Sequence, residues 1–280
     1  GSQAAYSVAV GSGAGYSGQL GEAVAIGVNA AMYNQGAYAV ALGSNAGGNN
    51  QETGAVAIGR TSGMGAHQYS VAIGYSAGQT NQSPTAVAVG SEAGQTNQGE
   101  WSVAVGRKAG LTGQSNSTVA VGHNAGQTNQ NSDAVAVGVA AANYGQEYGA
   151  VAIGQRAAHG WDYNISSTAI QGSDAIAIGS YAGESNTTGA NNIAIGRDSL
   201  FCNNVGSNNT AIGTNSLFKN TASNNTAVGY NSLACNTAGQ LNTAVGFLAK
   251  NNFTDLRNIP LGYDDLGIMN DCAKGSIGLP

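Results

Sequence analysis

A short motif, Val-Ala-Val/Ile-Gly, returns along this chain, with close variants, at an almost fixed interval, and that interval decides what the chain can fold into. The closing glycines are Gly11, Gly27, Gly43, Gly59, Gly74, Gly90, Gly106, Gly122, Gly138 and Gly154. After a longer gap come Gly179, Gly196, Gly213, Gly229, Gly246, Gly262 and Gly278. The spacing is 16 residues with a single 15 in the first group, and 16 or 17 in the second. A fixed period of this size marks a stack of repeats and excludes an ordinary globular topology.

Each unit reads in physical terms. Val24-Ala25-Ile26 alternates with period two, the pattern of a short strand whose Val and Ile share one face. Gly27 then ends the strand where the backbone must turn, with positive φ. A small pair follows three and four residues later, as in Ala14-Gly15, Ala46-Gly47 and Ala77-Gly78. Glutamine stands eight residues after the glycine at Gln19, Gln35, Gln51, Gln82, Gln98, Gln114, Gln130 and Gln146. Two strands and two turns fit in such a unit, and the glycines and β-branched residues exclude a helix. The predicted fold is all-β, a parallel β-solenoid (β-roll) with coils of 15–17 residues.

The pentapeptide Gly-Gln-Thr-Asn-Gln, beginning at Gly78, Gly94 and Gly126, follows from this architecture. In a solenoid, equivalent residues stack about 4.8 Å apart. Identical amides at that spacing hydrogen-bond along the stack, as Asn/Gln ladders do. Like charges at that spacing repel, and only 8% of the residues are charged, against about a quarter in an ordinary domain. The eight glutamines are therefore read as a structural ladder, with ligand binding as the competing role. The net charge of −5 gives no basic footprint for nucleic acid or an anionic membrane. No apolar run approaches the roughly 20 residues of a membrane span.

Two expectations concern the faces of the main strand. Val and Ile are expected inside. The intervening alanines, Ala9, Ala25, Ala41, Ala57, Ala72, Ala88, Ala104, Ala120, Ala136 and Ala152, are then expected outside, as a flat apolar stripe that packs against another chain.

Units such as Ser70-Val71-Ala72-Ile73-Gly74 and Ser102-Val103-Ala104-Val105-Gly106 resemble the head repeats of trimeric autotransporter adhesins, the YadA-like heads. Later units, such as Asn209-Thr210-Ala211-Ile212-Gly213 and Asn225-Thr226-Ala227-Val228-Gly229, resemble repeats of phage and giant-virus fibres. The similarity covers about residues 5 to 250. It implies a left-handed β-roll assembled as a homotrimeric rod. It also implies an extracellular place, on a bacterial surface through an anchor outside this sequence or on a virion. The implied role is attachment to a host receptor, whether matrix protein or glycan. No cofactor, nucleic acid or membrane insertion is implied.

The organisation is read as a first β-roll segment over 1–158, an irregular seam over 159–178, a second segment over 179–254, and a cap or transition over 255–280. In the seam, Gln171 stands where the glycine after Thr168-Ala169-Ile170 is due. Either the chain makes an extra half-turn there, or a loop bulges near His159–Asn164. In the second segment the fourth position after glycine becomes leucine, at Leu200, Leu217, Leu233 and Leu266, which calls for a wider interior. Asn203, Asn220 and Asn236 take over the ladder role there.

Candidate binding residues are aromatic. A variable position five residues before the glycine holds Tyr6, Tyr38, Tyr69 and Trp101, with Glu22, Thr85, Ser117 or Asp133 elsewhere. This column is either a sugar-stacking stripe or a shield for a coil edge. Trp161 and Tyr163 in the seam are either exposed receptor contacts or a plug between segments. His67, His123 and His159 fall at unrelated places in the repeat, and no metal-ligand spacing appears. The chain is therefore read as non-enzymatic. Cys202 and Cys235 lie two coils apart, too far for a disulfide to each other. Free or buried thiols are expected for them and for Cys272.

Overall fold

The computed structural model describes residues 3–160 and 171–249. All regular structure among the described residues is β, in strands of three residues. The chain divides into two compact units, Gly1–Val137 and Gly138–Pro280.

In the first unit the Val-Ala-Val/Ile motifs form nine parallel strands, from Val8–Val10, Val24–Ile26 and Val40–Leu42 through to Val135–Val137. Each strand pairs with its equivalent in the next coil, so like stands over like: Val24 on Val40, Ala25 on Ala41, Ile26 on Leu42. The second strand of the coil is polar. Thr80–Gln82, Thr96–Gln98, Thr112–Gln114 and Thr128–Gln130 form one such sheet, and Ser17–Gln19 pairs with Tyr33–Gln35 in another. The repeated amide pentapeptide is thus a strand with its lead-in turn. In the second unit, six motif strands from Val151–Ile153 to Thr243–Val245 stack the same way. Both units are parallel β-solenoids, as the period predicts.

The glycines that close each motif stack on one another. Gly27 has φ +131°, and a Cβ added to it would lie 2.6 Å from the carbonyl oxygen of Gly43. No side chain has room there, which is why this position is invariant from coil to coil.

The faces of the main strand are the reverse of the expectation. The alanine column is the interior: Ala25, Ala41, Ala57, Ala72, Ala88, Ala104, Ala120, Ala136 and Ala152 are all 0% exposed. Val and Ile point out and are half-buried or exposed. The reason is thickness. The opposite wall is built of more small residues, Ala30, Ala46, Ala77, Ala93 and Ala109, and facing alanines leave space only for methyl groups. Each buried methyl contributes about 0.8 kcal/mol, so the interior gains stability from the number of alanines rather than from their size.

In the second unit Leu200, Leu217 and Leu233 are buried in place of the glycines of earlier coils. Their φ values are near +49°, the conformation that Gly78 and Gly94 also hold at this position. Across the seam, Val151, Ala152 and Ile153 pair directly with Ile176, Ala177 and Ile178. Stacking therefore resumes in register. Gln171 stands on Gln146 as a ladder member, not at a failed glycine position. Trp161, Tyr163 and residues 255–280 lie outside the described residues.

Candidate functional site

The eight predicted ladder glutamines are all buried. Nε2 of Gln35 lies 2.9 Å from the Val24 carbonyl, 3.1 Å from that of Ala39 and 3.2 Å from Oε1 of Gln51, so its protons serve both its own coil and the next. Gln19 donates to Gln35 at 3.0 Å, Gln82 to Gln98 at 3.2 Å, Gln114 to Gln130 at 2.9 Å and Gln146 to Gln171 at 3.0 Å. The asparagine ladder of the second unit is also present: Asn203 donates to Asn186, Asn220 to Asn203 and Asn236 to Asn220. These amides satisfy buried carbonyls that would otherwise be orphaned, so the repeat is structural glue.

Sequence reasoning missed two further amide rows. Outside the solenoid, Asn34 donates to Asn50 and Asn81 to Asn97, each at 2.9 Å. Inside the second unit, Asn192, Asn209, Asn225 and Asn242 are buried, and each Oδ1 of the first three accepts the backbone N–H of the next. The asparagine that opens each Asn-Thr/Ile-Ala motif was the available signal.

The glutamine ladder skips its bond between Gln98 and Gln114, whose buried Oε1 accepts no hydrogen bond, and at one coil of the first unit it lacks the glutamine altogether. Ala66 occupies the equivalent place, shown by Glu52 N–H donating to the Ala66 carbonyl where Gly36 N–H donates to that of Gln51. On the far side of the gap, Oε1 of Gln82 is buried and accepts no hydrogen bond. On the near side lies an open groove of about 510 Å³ lined by Gly18, Leu20, Asn34, Gln35, Gly36, Asn50, Gln51, Glu52, Thr53 and Gln68. Asn34, Gln35, Asn50, Gln51 and Gln68 bring amides to it and Glu52 a carboxylate. Glu52 is fixed at one end, accepting from Gln68 N–H at 3.1 Å and facing Nδ1 of His67 at 3.1 Å.

The predicted aromatic column runs beside this groove. Tyr6, Tyr38, Tyr69 and Trp101 are 88, 60, 62 and 61% exposed. Main-chain bonds hold the column in line, with Tyr38 N–H on the Gly21 carbonyl, Gly54 N–H on that of Ala37, and Tyr69 N–H on that of Thr53. The Tyr69 ring lies against Gly54, where an added Cβ would come within 2.6 Å of it, next to groove-lining Thr53.

All four aromatics have positive φ, between 56 and 61°. A bulky residue in that region costs about 1–2 kcal/mol. Other coils hold the same position at positive φ with Gly54, Asn191 and Asn208, but also with Glu22, Thr85, Ser117 and Leu241, so the strain belongs to the repeat. Local backbone preference does not explain the aromatics.

The three histidines do not converge. His67 faces Glu52, His123 Nε2 lies 3.0 Å from an Arg107 guanidinium nitrogen, and His159 meets the Tyr144 ring edge-on. His159 is buried, and burial, with Arg156 nearby, lowers its pKa to about 4. Glu184 is paired with Arg156 at 3.0 Å; burial raises its pKa although the arginine opposes the shift. Cys202 is free and half-buried, and burial pushes its thiol up. Cys235 is disulfide-bonded, which corrects the expectation of free thiols throughout. Among the described residues no cluster of three or more His, Cys, Asp or Glu is placed to hold a metal. No helix among them is long and apolar enough to cross a membrane.

In comparisons with known proteins, no family model, curated sequence or solved structure matches the chain.

Proposed function

We propose that this chain is a non-enzymatic attachment segment, a surface adhesin head or virion fibre element in which three copies join as a left-handed β-roll and bind a host surface. The observation that carries the reading is the outward Val/Ile face. Val8, Val10, Ile26, Leu42 and Val105 in the first unit are 36 to 56% exposed, as are Ile153, Ile212 and Val245 in the second. The motif strands between them carry half-buried Val or Ile at the same outward positions, with no charged residue among them. A long uncharged apolar row of this kind is the surface that protein interfaces use. Copies of the same chain match its repeat. Many weak repeated contacts, multiplied by three, give the avidity that attachment needs. The receptor is a host cell-surface or matrix component.

Light scattering on the purified chain tests assembly, with a mass of three times 27.7 kDa expected. Adhesion of chain-coated beads to host cells tests attachment. A trimer that leaves cells bare selects the second reading, a structural spacer whose binding domain lies elsewhere. That reading draws support from the amide ladders, which stiffen the chain without recognising anything.

A further inference from the structure

We infer that the column Tyr6, Tyr38, Tyr69, Trp101 is a ruler for an extended, uncharged, β-linked polysaccharide of the cellulose or chitin type, laid along the stacking direction. The inference deepens the attachment reading by naming a ligand class, and it rests on that reading only for its biological setting.

Three observations carry it. The first is period. The aromatics precede the strands Val8–Val10, Val40–Leu42, Val71–Ile73 and Val103–Val105, which are alternate strands of the first unit. Two coils span about 9.6 Å at ~4.8 Å per strand. The flat two-sugar repeat of a cellulose- or chitin-type chain is close to that length, and after each repeat it presents the same sugar face. A ring every second coil therefore meets every second sugar in an identical way. Of the intervening positions, Gly54 is covered by the Tyr69 ring, and Glu22 and Thr85 carry no ring of their own.

The second observation is charge. The column from Tyr6 to Asp133 holds no Lys or Arg, and neither does the column one residue before it, from Ala5 to Ser132. Glu22, Glu100 and Asp133 make the stripe acidic. Sulfated, uronic and sialylated chains are therefore disfavoured, and a neutral glycan is matched.

The third is the polar flank. Sugars need hydrogen bonds at their edges as well as stacking on their faces. The groove beside Gly54 and Tyr69 supplies Asn34, Asn50, Gln68 and the fixed carboxylate of Glu52.

The test is calorimetric titration of the intact chain with chitohexaose, cellohexaose and maltohexaose, with the dimers and tetramers of each. Saturable binding of chitohexaose or cellohexaose is expected, strengthening with each added pair of sugars, and the stronger of the two names the source. Maltohexaose, whose α-linkages curve the chain, is expected at least tenfold weaker. Tyr69→Ala and Trp101→Ala should each weaken the hexamer about fivefold with unchanged circular dichroism, since both side chains are exposed. Thr85→Tyr adds a ring out of period and should not strengthen binding. Equal affinity for maltohexaose, no binding of either β-linked hexamer, or tighter binding by Thr85→Tyr would each overturn the proposal. A trimer that adheres to cells yet ignores both β-linked hexamers defeats the glycan assignment alone, leaving attachment intact.

Discussion

A Cβ placed on Gly78 would fall 2.6 Å from Oε1 of Gln82, the side chain four residues further along the same coil. Gly94 and Gln98 repeat the relation at 2.5 Å. The glycine is thus the room its own glutamine occupies, and the two positions are a single packing decision. The second unit makes the other choice, with Leu200 and Leu217 filling the first position while the shorter Asn203 and Asn220 carry the ladder.

Gly94→Ala is accordingly expected to destabilise the fold by about 1–3 kcal/mol through overpacking. In a chain that already carries Gln98→Ala, the same change should cost about 1 kcal/mol less, because the clashing amide has gone. Chemical denaturation of the four chains in this cycle measures the coupling; simple additivity would mean the two positions do not share space.

Gln98 bonds the Val87 carbonyl at 2.8 Å and accepts from Gln82, with its side chain fully buried. Gln98→Leu leaves a buried carbonyl and the Gln82 amide without their partner and should cost about 2–4 kcal/mol. Gln98→Glu should cost more at neutral pH, since a carboxylate would face the Val87 oxygen. Its deficit should shrink as pH falls below the carboxyl range. Thermal melts at two pH values check both.

The inverted strand faces give a direct contrast. Ala104→Val puts extra methyls into a filled interior and is expected to cost about 1–3 kcal/mol. Val105→Ala, on the neighbouring outward position that is 36% exposed, should change the stability of the separated chain by under about 0.5 kcal/mol. If the chain assembles through this face, Val89→Arg with Val105→Arg should drop its solution mass to that of one copy while circular dichroism stays β. Equilibrium unfolding and light scattering read the two halves of this prediction.

His159 is held neutral, with its pKa lowered to about 4 by burial and then by Arg156. The unfolded chain takes up this proton near pH 6.5, so between those values it binds more protons than the folded one. Stability contributed here is complete above pH 6.5 and is lost as pH falls toward 4. Allowing for partial solvent screening, the loss is about 1–2 kcal/mol. Glu184, whose pKa is raised by burial, acts with the opposite sign: as pH rises from its unfolded value through its folded one, it costs stability. His159→Gln should therefore flatten the acid side of the stability profile while leaving the Glu184 slope in place.

How much of this was legible in the sequence depends on what the repeat encodes. Register, strand position, the glutamine ladder and the ladder through Asn203, Asn220 and Asn236 could be read from the repeat, because stacking forces like onto like. The facing direction could not. Val24-Ala25-Ile26 alternates in either orientation, and the rule that larger apolar side chains go inside fails in a coil too thin to hold them. Ala46 and Ala77 on the opposite wall carried the missing information about thickness. The extra stretch before Gln171 hid a ladder member, because a fixed period cannot place a residue that follows an insertion. The aromatic column was visible as a list of residues; its exposure and backbone strain required coordinates.

The stacked glycines have a consequence for how such a chain changes over generations. Because Gly27 rests on Gly43 as Gly43 rests on Gly59, a duplicated coil finds the same floor and ceiling as its parent. Copying a whole period extends reach by about 4.8 Å and shifts no existing neighbour. Duplicating two periods adds another ring in phase, whereas duplicating one throws the later rings out of step with the earlier ones. Gene length can thus drift in small steps at little cost to folding, while selection on recognition favours steps taken in pairs.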